Sequence, residues 1–303
     1  MKTLLIGTSV LALVTGLTAQ APQRGAAPAS QQPAVPSAAP AAPAADALRP
    51  IHVYIRAGLK SHGEGQHDYP QFLADWSKLL TDHGVLVDGG LHFPDARELA
   101  DTDVMIMYKG DAGYMTADEK AVAETFEKRG GGFVLFHDTL CGDDPAYMAS
   151  LVGGGKKHGE VNFSAGEIKY TIVDKESPIM QGMSDFSIQD EAFFKMTWPD
   201  NPKIHVLATA AMPETQGAQG HVGEVVPQIW TYEHTLFGGQ PSRAFVWMQG
   251  HTYANFSRPD VQKMIFRGIA WAAKAPIDAV VNGKAPQRGG GGRGRRGGGG
   301  GGL

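Results

Sequence analysis

The sequence predicts an α/β domain: a mostly parallel sheet flanked by helices, carrying a β-rich extension. Three observations support this. Short apolar runs alternate with amphipathic helical stretches up to residue 136. Between residues 167 and 248 apolar runs follow one another with few helices between them. Histidines, carboxylates and glycines collect where several of these runs end. The first pattern is that of a parallel sheet with crossover helices, and the second is that of consecutive strands added to it. The third falls where ligands sit in parallel sheets, beyond the C-terminal ends of strands.

The elements follow in order. Residues 51–56 read as a short strand. Over 69–83, Phe72, Leu73, Trp76, Leu79 and Leu80 recur at helical spacing until Gly84 stops the helix. Residues 85–87 and 103–108 are the next strands, the second apolar almost throughout, as a strand covered on both faces should be. Thr116 with Glu119 three residues on forms a capping box, and Val122 and Phe126 mark that helix's inner face. Gly130-Gly131-Gly132 ends it and leads into a strand over 133–136. A glycine run after a helix and before a strand has the wrong order for a phosphate-cradling loop, so no nucleotide cofactor is expected. Strands are expected over 167–173, 204–209, 228–232 and 244–248. A last helix opens at Pro259, with Val261, Met264, Ile265, Ile269 and Trp271 as its apolar stripe.

The two ends are of different composition. Residues 1–19 read as an export signal: Lys2, an apolar run from Leu4 to Leu17, and small residues before a cut after Ala19. The run falls short of the roughly 20 residues a membrane span needs, so no stable membrane insertion is expected after cleavage, and a periplasmic or secreted location is. Residues 20–49 are an Ala/Pro-rich linker. Residues 279–303 are read as a Gly/Arg-rich disordered tail, leaving a single domain over 50–278. Eight of the 27 Lys and Arg lie outside that domain, against one of the 31 Asp and Glu, so the domain carries a net charge of about −11. Such a surface repels phosphate backbones, which argues against nucleic acid as a partner. Cys141 is the only cysteine, so no intrachain disulfide forms.

Four of the eleven histidines fall at expected strand ends. His62 and His67 lie in the loop after the first strand, His137 directly follows 133–136, and His251 follows 244–248. Gln189-Asp190-Glu191 is expected in an irregular stretch between strands. If the strands carrying these loops are adjacent and parallel, the imidazoles converge. Neutral imidazole and carboxylate bind divalent metals such as zinc or manganese, and without metal they move protons near neutral pH. The spacing His62-x4-His67 requires a folded-back loop, which Gly63 and Gly65 permit. His52, His83, His92, His158, His205, His221 and His234 are assigned structural or surface roles. Cys141 lies four residues beyond the sharp turn where such a fold would present a nucleophile, so a cysteine hydrolase is not expected.

These segments together resemble the ThuA-like (trehalose utilisation) family, whose fold is that of class I glutamine amidotransferase domains and is flavodoxin-like. The resemblance runs from about residue 51 to 273. His62-Gly63-Glu64-Gly65-Gln66-His67-Asp68-Tyr69-Pro70 resembles the family's His-Gly-x-Gly-Glu-His-Asp-Tyr-Pro loop, with Gln66 where Glu is usual. Arg129 to His137 resembles its glycine turn, strand and histidine, and Asp190-Glu191 its acidic pair. Gln249-Gly250-His251 with Asn255-Phe256, then Gly268 to Ala272, resembles its closing segment. Asp138 departs from the small or aromatic residue common after the histidine. The resemblance implies an amidotransferase fold without its cysteine nucleophile, and a link to disaccharide and 3-keto-glycoside catabolism.

The expectation drawn from residues and resemblance together is an exported carbohydrate enzyme performing proton transfer, isomerisation or elimination, on a keto-sugar or glycoside. Glu191 is assigned as base, with His137 and Asp190 completing the catalytic group. His62, His67, His137 and His251, with Glu191, are the candidate ligands of a divalent metal, zinc or manganese. His62, His67 and His251 are also assigned to substrate. Tyr108, Trp230 and Tyr232 are candidate stacking faces for a sugar ring, and Asp190 and Asp138 are expected to orient the imidazoles. The partner expected is a small sugar or glycoside, with a homo-oligomer left open. The alternative is a non-catalytic sugar-binding or scaffolding domain.

Overall fold

The computed structural model describes residues 49–285 apart from Gln219 and Phe237. The expected signal, the linker up to residue 48 and residues 286–303 of the expected tail lie outside the described residues. In chain order the elements are β1 (His52–Ala57), α1 (Tyr69–Asp82), β2 (Leu86–Gly90), β3 (Val104–Tyr108), α2 (Ala117–Lys128) and β4 (Gly132–Phe136). They continue as β5 (Cys141–Gly142), α3 (Pro145–Val152), β6 (Lys156–Lys157), β7 (Phe163–Ile172), β8 (Phe186–Phe193) and β9 (His205–Ala211). The chain then forms β10 (Val225–His234), β11 (Ser242–Trp247), α4 (Pro259–Ala272) and α5 (Ala279–Asn282).

Nine strands make one sheet in the order β2-β1-β3-β4-β11-β10-β9-β7-β8. Strands β2, β1, β3, β4 and β11 pair in parallel; β10, β9, β7 and β8 continue antiparallel. The β-rich extension is therefore the same sheet carried on. Strands β1 and β4, whose loops were expected side by side, are parallel but separated by β3.

Both faces of the parallel half are covered, so β3 and β4 are buried at every residue. Val53, Ile55, Ile106 and Phe136 pack with Phe72 and Trp76 of α1 and Val261 and Ile265 of α4. Met105, Met107, Phe133 and Leu135 pack on the other face with Phe126 of α2 and Met148 and Leu151 of α3. In β7 buried and exposed residues alternate, the pattern of a sheet with one wet face. The Thr116 capping box forms as expected. A side chain at Gly131 would meet the Phe126 ring at 2.5 Å, so that glycine is needed where the chain leaves α2 for β4. Among the described residues no helix is long and apolar enough to cross a membrane.

Several strands run longer than expected, α3, β5 and β6 were not expected, and two further departures matter most. Gln189-Asp190-Glu191 lies inside β8, with Glu191 opposite Ala165 of β7. The inward positions of β8 are Ile188, Asp190 and Ala192, and a carboxylate in the middle of that row hides the apolar alternation. The domain also extends past residue 278: Val280 of α5 is buried and its carbonyl accepts from His83 Nδ1 at 2.8 Å.

Candidate functional site

The site begins with backbone that L-residues rarely adopt. His62, His67 and His137 have φ of 62°, 45° and 55°. Three left-handed histidines at strand-end loops represent strain that neighbouring contacts must hold. For the loop after β1 those contacts are identifiable. The Lys60 ammonium donates to the carbonyls of Ser61, Gly63 and Gln66, at 2.9, 2.5 and 2.5 Å. The backbone N–H of His67 donates to His251 O (3.1 Å), and that of Tyr253 to Gly65 O (2.8 Å). Gln66, the departure from the family pattern, accepts from Gly63 N through its side chain and so belongs to the loop's own framework.

His137 stands where β4 ends, and His251 follows β11, the parallel neighbour of β4. With His67 they form one cluster. His67 Nε2 is 2.8 Å from His137 Nε2 and 3.0 Å from His251 Nδ1. Glu191 faces them, Oε2 at 3.7 Å from His137 Nε2 and Oε1 at 3.4 Å from His251 Nδ1. His62 is exposed at the rim, its ring centroid 3.9 Å from that of His67. The expected convergence of His62, His67, His137, His251 and Glu191 is therefore present, with His62 as an outer member.

Glu191 reaches the cluster from the far end of the sheet through two fully buried amides that sequence reading missed. Gln228 accepts from Phe193 N (3.1 Å) and donates to Phe193 O (2.8 Å). Gln249 donates to Glu191 O at 3.0 Å and to Gln228 Oε1 at 2.7 Å. Together they tie the backbone of β8 to β10 and to the segment after β11. A glutamine in an apolar strand, as at 228, is the one trace of this in the sequence.

Electrostatics favour neutral imidazoles and a titratable carboxyl. Burial, with His62 and His251 nearby, pushes His67 down to about 3. Burial also lowers His137 and His251. Burial and the Asp138 and Asp190 carboxylates push Glu191 up to about 7. Ser61 Oγ lies 3.0 Å from His67 Nδ1. If that nitrogen donates, a lone pair remains on Nε2 toward the other two rings. Three neutral imidazoles with a carboxylate are a donor set that fits zinc or manganese.

Several expected roles are corrected. Asp190 contacts no imidazole. It accepts from the backbone N–H of His251 (3.1 Å) and Thr252 (3.1 Å) and from Asn255 Nδ2 (2.7 Å), fixing the loop that carries His251. Asp138 pairs instead with Lys156 Nζ at 2.5 Å. Burial would raise the Asp138 carboxyl, but His137 and the Lys156 ammonium outweigh it and hold it below the usual range. Tyr108 and Trp230 are fully buried, bonded to Gly250 O and to Val152 O, and Tyr232 is buried as well. None of the three offers a face to a sugar.

The cleft above the cluster has a volume of about 260 Å³ and includes His62, His67, Asp138, Lys156, Phe163 and Glu191 in its walls. Lys156 was not anticipated. It is buried, with Nζ 4.0 Å over the Phe193 ring. Its signal is the run Gly153-Gly154-Gly155 before it: side chains at 154 and 155 would strike Trp230 and the Pro145 carbonyl, so the chain sinks there and takes the lysine with it. Burial pushes the Cys141 thiol up to about 12, leaving a neutral thiol rather than a nucleophile.

Fold and cleft together define an α/β protein with a mostly parallel sheet carried on by antiparallel strands, whose strand-end site is built from imidazoles and a carboxylate. Residues 60–272 match the family model ThuA, trehalose utilisation, and the chain belongs to that family. Two solved structures described as ThuA-like are similar to it. That from Bacteroides uniformis is 18% identical with a TM-score of 0.55, covering 78% of this chain and 98% of its own. That from Parabacteroides merdae is 20% identical with a TM-score of 0.54, covering 74% and 90%. A Thermotoga maritima glutamine amidotransferase is similar at 12% identity and a TM-score of 0.39, covering 77% and 93%. No curated protein is significantly similar to the chain.

Proposed function

We propose that this protein is an exported carbohydrate enzyme that moves a proton next to the carbonyl of a keto-sugar or glycoside, by isomerisation or elimination. Family membership supports the carbohydrate role, and the N-terminal sequence over residues 1–19 supports export. The single observation that carries the chemistry is the placing of Glu191: its carboxylate faces His137 and His251 across 3.7 and 3.4 Å, where burial and the Asp138 and Asp190 carboxylates push it up to about 7. A base poised near the working pH combines a deprotonated fraction with strong proton affinity. Glu191 would take the proton from the carbon beside the carbonyl. His67, His137 and His251 would hold the carbonyl oxygen as negative charge develops there. His62, exposed at the rim, would contact sugar hydroxyls. For isomerisation the proton of the adjacent hydroxyl passes to the former carbonyl oxygen and Glu191 returns its own proton to the former carbonyl carbon; for elimination the enolate collapses, the bond to the β-oxygen breaks and Glu191 gives its proton to the leaving oxygen.

A divalent ion, zinc or manganese, held by His67, His137 and His251 would supply Lewis-acid charge at that oxygen, leaving Glu191 free as the base. His62 is farther out and would not be a ligand. Asp190 would act as a positioning residue, through the loop bearing His251.

The test is turnover of 3-keto-disaccharides by purified protein and by E191Q and H137A. Loss of at least about a hundredfold in both is expected from removal of a general base or an oxyanion partner. Unchanged turnover in both variants would remove the assigned roles. Sugar-induced thermal stabilisation without any turnover in the unmodified protein would favour the binding-domain alternative.

A further inference from the structure

A second group of donors lines the same cleft, and none of its members has a role in the chemistry above. Asp111 follows β3, Cys141 opens β5 and His158 follows β6. One ligand atom from each lies within 4.8 Å of the other two. His158 Nδ1 is 2.9 Å from Asp111 Oδ1 and 3.9 Å from Cys141 Sγ. All three residues line the same cleft as His67 and Glu191.

We propose that Asp111, Cys141 and His158 form a second metal site, binding a zinc-class ion through carboxylate, thiolate and imidazole with its fourth position open to the cleft.

The arrangement of atoms separates this reading from a nucleophilic triad. A triad needs its histidine to bridge thiol and carboxylate with two different ring nitrogens. Here Asp111 and Cys141 both approach Nδ1, so His158 cannot pass a proton from one to the other. Donors converging on one point are what a cation requires. Tetrahedral zinc, with bonds of about 2.0 Å to nitrogen and oxygen and 2.3 Å to sulfur, sets its ligand atoms roughly 3.3–3.6 Å apart. The observed 2.9 and 3.9 Å lie on either side of that range.

The backbone holds the three loops together independently of any ion. Gly113 N donates to Cys141 O at 2.9 Å, and Asp111 N to Asp138 O at 3.1 Å. β5 pairs with β6, and His158 N donates to Gly142 O at 2.9 Å. A side chain at Gly142 would meet Gly113 backbone atoms at 2.5–2.7 Å, so these loops are pressed together. Asp111 itself is left-handed, with φ of 53°, strain of the kind that gathers at binding sites. Of the lysines nearby, Lys156 is already paired with Asp138, and Lys109 Nζ donates to the Asp111 carbonyl at 3.4 Å. Binding replaces the thiol proton by the metal and releases it to solvent. Three protein donors with an open fourth position is the pattern of a catalytic rather than a structural zinc site.

Cobalt(II) titration of the metal-free full chain tests this. Cys141 is the only cysteine, so a thiolate-to-cobalt charge-transfer band in the near ultraviolet reports this site alone. The band is expected to reach the intensity of one thiolate–cobalt bond per chain, to vanish in C141S, and in the double variant H67Q/H251Q to survive and saturate at one equivalent. His158 is exposed, so H158A leaves the core intact. It should weaken cobalt binding by more than the roughly 10–100-fold that loss of a supporting partner costs. Cobalt saturation of the unmodified chain with no charge-transfer band would overturn the proposal, as would a band unaffected by H158A. Neither outcome bears on the imidazole cluster, whose occupancy is read separately as cobalt bound in C141S.

Discussion

The Asp190 carboxylate accepts the backbone N–H of His251 at 3.1 Å, so the histidine is held through its main chain by a residue 61 positions earlier. The same carboxylate accepts from Gly250, Thr252 and Asn255. D190A would leave these donors buried without a partner, and a loss of about 3–5 kcal/mol is expected. D190N, which keeps one acceptor oxygen, should lose less. Denaturant unfolding of both variants measures this, and equal stability of all three proteins would contradict it.

The Glu191 carboxyl is pushed up to about 7 by burial, Asp138 and Asp190. On the proposed mechanism the deprotonated form is active, so turnover should rise through a midpoint near pH 7. D138N removes one of the negative charges raising it and leaves Lys156 unneutralised. Both changes lower the Glu191 pKa, so the rising limb should move to lower pH. A pH–rate profile of the two proteins decides the point; a shift upward would be inconsistent with the charge arrangement.

Protonation of the imidazole cluster should destabilise the fold in acid. His67 is about 3 in the fold against 6.5 unfolded, and His137 and His251 are lowered too. Between about pH 3 and 6.5 the unfolded chain binds more protons, so these residues make stability fall as pH drops below 6.5. Glu191 and Asp190, raised to about 7 and 6, act in the opposite sense: their contribution falls as pH rises from about 4 toward those values. Replacement isolates the imidazole part. H67Q should flatten the loss of Tm between pH 6.5 and 4.5, and an unchanged slope would argue against a neutral buried His67.

Trp230 is core. W230F removes the bond to the Val152 carbonyl and some buried volume, and about 1–3 kcal/mol of stability should go with them. Turnover should stay within about twofold, because no atom of Trp230 reaches the cleft. A large loss of activity at full stability in W230F would restore a substrate role.

The parallel half was legible because its signals are local. Helical spacing from Phe72 to Leu80, the Thr116–Glu119 box and the continuous apolarity of 104–108 each depend on a few neighbouring residues, and each element formed where expected. The strand-end histidines were legible for the same reason, since a polar residue closing an apolar run marks a loop. Strand β8 was not, because Asp190 occupies an inward position where an apolar residue would have completed the alternation.

The chain by itself determined the fold class, the order of its elements and which histidines lie at strand ends, since periodicity and turn chemistry act over a turn or two of backbone. Tertiary structure alone decided that Glu191 reaches His137, that Asp190 serves the backbone of residues 250–252, and that Lys156 and His158 line one cleft. Those relationships join residues far apart in sequence, and the buried amides and glycine contacts that enforce them have meaning only once the sheet has formed and their partners stand beside them.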